Sequence, residues 1–248
     1  MNAWANIQTI ARRELGAYFT SPLAYVFIVI FLLLCGFFTF LFGGFFVRDQ
    51  ASLAMPFFFW HPWFYLFLVP AVGMRLWAEE RRVGTLELLL TMPITAWQAI
   101  VGKFLASWLF LALALALTFP LVITVNYLGH PDNGVILCSY VGSWLMAGAY
   151  LAISCMTSAL TRAQVVSFIV AVVVCLGLLL TGIGPVIQSL SNWFNPAVVS
   201  AVASCSFLTH FGNFEKGVLD SRDVIFFLSV IVFSLFTTAV ILRGHRRG

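Results

Sequence analysis

The residues best suited to chemistry in this chain fall in one short run, Met74–Glu87, reading MRLWAEERRVGTLE. It is the densest cluster of charge in the sequence. Glu79, Glu80, Arg81, Arg82 and Glu87 stand beside Leu86, Leu89 and Leu90. Charge of both signs next to a leucine stripe suits a protein interface, where the leucines supply affinity and the charges select partner and register. Two readings stand: a docking knob for a soluble partner, or a charged loop that is merely solvated.

Groups for covalent or hydrolytic chemistry are missing. A P-loop needs glycine five residues before its Gly-Lys and a hydroxyl after it, but Gly102-Lys103 is followed by Phe104 and lacks the upstream glycine. There is no H-E-x-x-H and no G-x-S-x-G. His61, His130, His210 and His245 have no partners at metal-ligand spacing. His61 and His210 are expected to face outward, and a structural role is favoured for each. The five cysteines form no C-x-x-C pair and mostly lie in apolar runs, as small buried hydrophobes do. No catalytic residue, metal or cofactor is expected on this chain.

The elements that position the charged run are set by composition. The 248 residues are 62% hydrophobic and 9% charged, against roughly 25% charged in a soluble domain. That is too little polar surface for a water-soluble fold, so an all-α polytopic membrane protein is expected. Basic residues beside apolar spans read as topology signals, and nucleic acid is not an expected partner. The runs are continuously apolar and do not alternate, which excludes a β-barrel.

Six stretches approach the roughly 20 residues needed to cross a bilayer: 22–46, 57–78, 103–127, 135–159, 164–183 and 222–243. With the N-terminus inside, ten of the thirteen Lys and Arg are cytoplasmic, and only Arg48, Lys216 and Arg222 lie outside. Both termini are therefore expected in the cytoplasm. No cleavable signal is expected at the start, because Arg12, Arg13 and Glu14 fall where an apolar core would be needed.

Smaller signals organise the rest into a single transmembrane domain over 1–248. Residues 3–18 read as an interfacial helix, with Trp4, Ile7, Ile10, Ala11, Leu15 and Tyr18 on one face and Asn6, Thr9 and Arg13 opposite. Ser21-Pro22 opens spans 1–5, which cover 22–183. The elbow 79–98 lies among them. Gly84 breaks the chain there, Thr85 caps a short helix over 86–90, and Met92-Pro93 ends it. Thr95 and Gln98 then form a capping box whose helix continues through Lys103 into span 3. In span 4, Ser143 with Ala147 and Gly148 with Ala152 permit close backbone approach, within the chain or across a dimer. Residues 184–221 form an outer re-entrant or interfacial segment. Gly182, Gly184 and Pro185 open it, and Ile187, Leu190, Trp193 and Phe194 supply an apolar patch. Asp220 or Ser221 caps span 6, which runs with the basic tail over 222–248.

The run R-L-x-A-E-E-R-R-x-G-T-L-E-L-L-L-T-x-P from Arg75 to Pro93, followed by W-x-x-x-x-G-K-F at Trp97–Phe104, resembles the ABC-2-type permeases. The sequence is most similar to the gliding-motility permease subunit, with the nitrous-oxide-reductase maturation permease as a related branch. His210-Phe211, Phe214-Glu215 and G-V-L-D-S-R-D at Gly217–Asp223 agree. The resemblance implies an ABC-2-type exporter fold in the bacterial inner membrane. It implies a homodimer, or a pair with a related permease, that binds two cytoplasmic ATPase subunits carrying ATP and Mg, with an auxiliary membrane protein as a further partner. Matched residue by residue, Glu79, Glu80, Arg81, Arg82, Gly84, Thr85, Leu86 and Glu87 become the coupling helix, beside the apolar Leu89 and Leu90. Spans 2 and 5 would line a narrow path. Gly182, Gly184 and Pro185, with His210, Glu215 and Asp220, would form its outer gate.

Three competitors remain from the residues alone. An ion-coupled carrier or channel calls for a charge inside the membrane, and all 22 Asp, Glu, Lys and Arg fall in loops or near span ends. An intramembrane enzyme calls for a convergent polar group. A membrane anchor recruiting a soluble complex would carry the same elbow.

Overall fold

A computed structural model describes residues 3–43, 45, 52–85 and 95–244. Twelve α-helices are present among them: α1 (Ala3–Thr20), α2 (Pro22–Phe37), α3 (His61–Gly73), α4 (Arg75–Val83), α5 (Ala96–Ala116), α6 (Phe119–Leu128), α7 (Asn133–Leu160), α8 (Gln164–Leu180), α9 (Gly184–Ser191), α10 (Pro196–Ala203), α11 (Phe207–Glu215) and α12 (Ser221–Gly244). A π-helical segment, Phe38–Phe42, extends α2, and a 3-10 turn, Phe58–Trp60, precedes α3.

The chain is an all-α, multi-pass membrane protein. Among the described residues, four continuous helical stretches are long and apolar enough to cross a bilayer: Ala24–Phe42, Ala96–Leu128, Asn133–Leu160 and Ser221–Gly244. The number rises to six if two bent pairs each count as one span, α8 with α9 at 76° and α10 with α11 at 59°. One expected span takes a different form. The stretch 57–78 is the 3-10 turn, α3 and α4 in succession: Pro70 lies inside α3, where it removes one amide from the ladder, and the helix breaks one turn later at Met74.

The hub is α7, which packs against α3, α4, α5, α8, α11 and α12. Its small residues admit its neighbours. A Cβ on Gly148 would lie 2.7 Å from Trp108 Nε1 on α5 and 3.1 Å from Ile231 on α12. One on Gly142 would strike the Phe214 ring of α11. The small-residue pattern of span 4 therefore packs inside the chain. Ser143 is equally internal: its hydroxyl contacts His61 Nδ1 at 2.8 Å and Tyr65 Oη at 2.7 Å. This corrects the outward placement of His61, which is fully buried. The outward faces are apolar, with Val29 and Leu33 on α2, Val166 and Val173 on α8, and Val232 and Phe236 on α12 all exposed. Such faces suit lipid.

The break between α3 and α4 is held by α7. The Trp77 and Ala78 amides at the start of α4 both donate to Ser158 Oγ at 3.0 Å. The Ser158 hydroxyl donates in turn to the Met74 carbonyl at 2.8 Å. Gly73 has no room for a Cβ, which would strike Ser154 Oγ.

Candidate functional site

The charged run begins on α4, whose Leu76, Trp77 and Ala78 are buried. Helix α4 ends at Gly84, where φ is 79°, a left-handed conformation that favours glycine. Its inner side meets Lys103 of α5. Lys103 is 4% exposed, and a cation so buried needs counter-charges. It has two: Glu80 Oε1 on α4 at 2.8 Å and Glu14 Oε1 on α1 at 3.3 Å. The ammonium also lies 5.6 Å from the centroid of the buried Trp77 ring. One side chain thus ties α1, α4 and α5 together.

Sequence-local features explain why Lys103 arrives there. Thr95 starts α5 with the expected capping box: the Gln98 amide donates to Thr95 Oγ1 and the Thr95 amide donates to Gln98 Oε1. Gln98 Oε1 also accepts from Asn6 Nδ2 of α1 at 3.3 Å. One turn on, Gly102 is where α1 comes closest. A Cβ there would lie 2.8 Å from Ile10 Cγ2 and 3.3 Å from the Ile7 carbonyl. The Gly-Lys pair therefore combines a bare surface for α1 with a charge that clamps it. Gly102→Val should cost about 1–3 kcal/mol by overpacking and loosen α1. Faster amide exchange across residues 3–20 is the expected reading, and unchanged protection would contradict it.

The inward face of α1 differs in part from the expected one. Ile7, Ile10, Leu15 and Tyr18 turn inward as anticipated, but so do Asn6 and Glu14, while Trp4 is 62% exposed. Burial raises the Glu14 carboxyl pKa, but the Lys103 charge and the hydrogen bond and charge of Arg13 outweigh it and hold the pKa below its usual 4.5. A carboxyl depressed on folding stabilises above its unfolded value and loses that contribution as pH falls through the folded one. The thermal-midpoint advantage of wild type over Glu14→Gln, present at pH 7, should therefore shrink as pH falls below about 4.5. A pH-independent difference would exclude the ion pair as its source.

The expected coupling residues divide by position. Glu80 and Arg81 are anchored: Glu80 to Lys103, and Arg81 through Nη1 to the Ala159 carbonyl at the end of α7. Glu79 and Arg82 form an exposed i,i+3 pair at 3.7 Å. Gly84 and Thr85 are exposed, and Thr85 Oγ1 donates to the Glu80 carbonyl at 3.4 Å. Leu86, Glu87, Leu89 and Leu90, with the short helix expected over 86–90 and its Met92-Pro93 stop, lie outside the described residues.

At the other end of the bundle, the expected break after span 5 is present, with α8 and α9 meeting at 76°. A Cβ on Gly182 would meet Ser206 Oγ, the hydroxyl that caps α11. Gly184 and Pro185 start α9, which buries none of its residues, and Trp193 beyond it is 86% exposed. Asp220 Oδ1 accepts the Arg222 amide at 3.0 Å, as the expected cap does. His210 is not without a partner. Its Nδ1 lies 2.5 Å from Asp223 Oδ1, and its Nε2 donates to the Ser204 carbonyl at 2.8 Å. Asn213 donates to the other Asp223 oxygen at 2.9 Å. Glu215 closes α11. The structure thus joins Gly182 to the start of α11, and His210 to α12 through Asp223.

The residues missed from sequence are Glu14, Lys103, Ser158 and Asp223. A signal existed for two of them. Glu14 continues the spacing Ile7, Ile10, Tyr18 on the half-buried, inward face. Lys103 is the one charge within the 21 residues of α5, and a charge set in an apolar helix implies a partner. Among the described residues no group of three or more His, Cys, Asp and Glu is placed to hold a metal ion.

The sequence model of the family described as ABC-2 family transporter protein matches residues 63–242. The match takes in α4 and Lys103 and leaves α1 outside. A comparison with curated proteins gives no match.

Proposed function

We propose, because the chain belongs to the ABC-2 family of transporter proteins, that it is the membrane-spanning permease subunit of an ATP-driven exporter. Cytoplasmic ABC ATPase subunits would bind and hydrolyse Mg-ATP, and this chain would convert their closure into a change of helix packing. The observation that carries the reading is the Lys103 bridge. The elbow that would receive the ATPase motion is clamped through Glu80 to α5 and, through Glu14, to the interfacial helix α1. Arg81 adds a tie to the end of α7, the hub of the bundle. A push on the exposed side of α4 and just past its end, at Glu79, Arg82 and Thr85, would thereby be delivered to three helices at once. A bistable packing then needs only differential contact with the two ATPase states.

The finer reading follows the sequence resemblance. It has a single domain of six spans over 1–248, both termini cytoplasmic, in a bacterial inner membrane. It works as a homodimer or beside a related permease, in the branch similar to the gliding-motility subunit with its auxiliary membrane protein. Residues 79–98 form the coupling elbow. Gly182, Gly184, Pro185, His210, Glu215 and Asp220 frame the outer gate.

The test is co-purification of the chain in mild detergent followed by ATPase assay after lipid reconstitution. An ATPase should accompany the wild type. Leu86→Asp should remove it, by placing a charge in the docking stripe. Glu80→Lys should retain the partner but lose its stimulation by the permease, since two ammonium groups would then face each other at Lys103. A chain that carries no ATPase across several detergents, or an ATPase indifferent to both substitutions, would overturn the reading in favour of an anchor, carrier or channel.

A further inference from the structure

At the end of the bundle away from Lys103, the His210 imidazole has a partner for each nitrogen. Nε2 lies 2.8 Å from the Ser204 carbonyl and Nδ1 lies 2.5 Å from Asp223 Oδ1. A carbonyl oxygen only accepts, so Nε2 carries a proton. A second proton must lie between Nδ1 and the Asp223 oxygen, because two lone pairs would otherwise meet at 2.5 Å. The pair thus holds one proton more than a neutral imidazole beside a carboxylate.

Three features place that proton on the ring. Asp223 stands in the first turn of α12, where the amides of a helix start favour a carboxylate. Its Oδ2 accepts from Asn213 Nδ2 at 2.9 Å, and a hydrogen bond to the charged form favours that form. The imidazole stacks on Phe226, one turn along α12, with centroids 4.0 Å apart, and an aromatic face attracts a cation. Asp223 is itself 2% exposed, so its charge needs a counter-charge. Among the described residues His210 is its ion-pair partner.

Loss of the extra proton would leave one N–H for two acceptors. The charge-assisted bond to Asp223 is the stronger, so the Nδ1–H tautomer is retained and the Ser204 carbonyl is let go. Ser204 closes α10. Helices α9 and α10 have little else to hold them, since α9 buries no residue and α10 only Val199. We infer that His210 is a proton-operated latch on the α9–α10 hairpin: protonated, it fastens the hairpin to α11 and α12, and neutral, it releases it. The stabilisation belongs to the protonated state, so it is present at low pH and lost as pH rises.

Other titratable groups surround the latch. Glu215 and Lys216 close α11, and Asp220 and Arg222 open α12. None of these four pairs with His210 or Asp223 among the described residues. Helices α7, α8, α9 and α10 carry no Asp, Glu, Lys or Arg. Asp132, before α7, is taken up by the Gly134 and Val135 amides. The remaining groups are phenols and thiols: Tyr140, Tyr150 and Cys138 on α7, Cys175 on α8, and Cys205 beside Ser204. The latch stands without the transport reading, because its readout is the opening of this segment.

The test is hydrogen exchange of the full-length chain in phosphatidylcholine nanodiscs from about pH 5 to about pH 9, which brackets ordinary imidazole titration. Rates are corrected for the intrinsic pH dependence of exchange. Protection across residues 184–206 should fall about tenfold as pH rises, roughly the worth of one hydrogen bond, while α12 keeps its own. Asp223→Asn should move the transition to lower pH, because the imidazolium loses its counter-charge. If Asp223→Asn does not fold, Phe226→Leu should move it the same way. His210→Gln should abolish the transition, whereas Glu215→Gln and His130→Gln should leave it in place. Protection independent of pH overturns the proposal. So does a transition that survives in His210→Gln, vanishes in Glu215→Gln or His130→Gln, or stays put in Asp223→Asn or Phe226→Leu. Loosening of α12 together with residues 184–206 would also overturn it, making His210 a general packing contact.

Discussion

Lys103→Met should be among the most damaging single substitutions in this chain. It retains the length of the aliphatic stem and removes only the ammonium, leaving the Glu14 and Glu80 carboxylates facing each other across an apolar contact. Breaking a buried pair by removing one partner costs about 3–5 kcal/mol. The two carboxylates are 20% and 18% exposed, so some water reaches them and the lower end, about 3 kcal/mol, is expected here. Thermal unfolding in detergent should show the loss directly, and faster exchange should appear in both α1 and α4. Adding Glu80→Gln to Lys103→Met should recover part of the midpoint, because the repulsion is then relieved. That recovery separates lost charge balance from lost packing. Under the transporter reading, Lys103→Met should also abolish permease-dependent stimulation of the ATPase. An unchanged midpoint would show that solvent already screens the bridge and that it clamps nothing.

Ser158→Ala carries the second large effect, for a different physical reason. No charge is involved and only one oxygen is lost. That oxygen accepts from the Trp77 and Ala78 amides and its proton reaches the Met74 carbonyl. All three backbone groups belong to the break between α3 and α4, and Ser158 itself is fully buried. Each buried group left unsatisfied costs about 1–3 kcal/mol, so a total near 3 kcal/mol is expected after partial relaxation. The loss should be local, with protection of the Trp77 and Ala78 amides falling before that of α12. Uniform loss across the bundle would instead mean that Ser158 matters for general packing of α7.

Much of this architecture was legible in the residues. The apolar runs, the break after span 5 at Gly182–Pro185, the Thr95–Gln98 box and the Asp220 cap all depend on residues within one turn of each other. Local sterics and backbone hydrogen bonds decide them, so local sequence reveals them. The stretch 57–78 shows the boundary. It reads as one apolar run, but the break inside it is held by Ser158 and Ser154 from α7. The candidate site was half legible. The elbow stood out as a charge cluster, yet the cluster could not say that Glu80 and Arg81 turn inward while Glu79 and Arg82 stay exposed. His61 was misplaced outward for the same reason: its partner Ser143 lies far away in sequence.

The sequence by itself determined that this chain is helical and lives in a bilayer, because backbone groups in hydrocarbon must be satisfied within each segment and 62% apolar residues leave no other solvent. It also determined where charge concentrates and, through the elbow motif, the transporter family to which the chain belongs. Only the tertiary structure decided which charges meet. Glu14, Glu80 and Lys103 sit on three helices, and their pairing depends on a glycine at 102 that lets α1 approach. Composition and periodicity are properties of a single segment. An ion pair buried among three helices is a property of how those segments pack, and no window of sequence contains it.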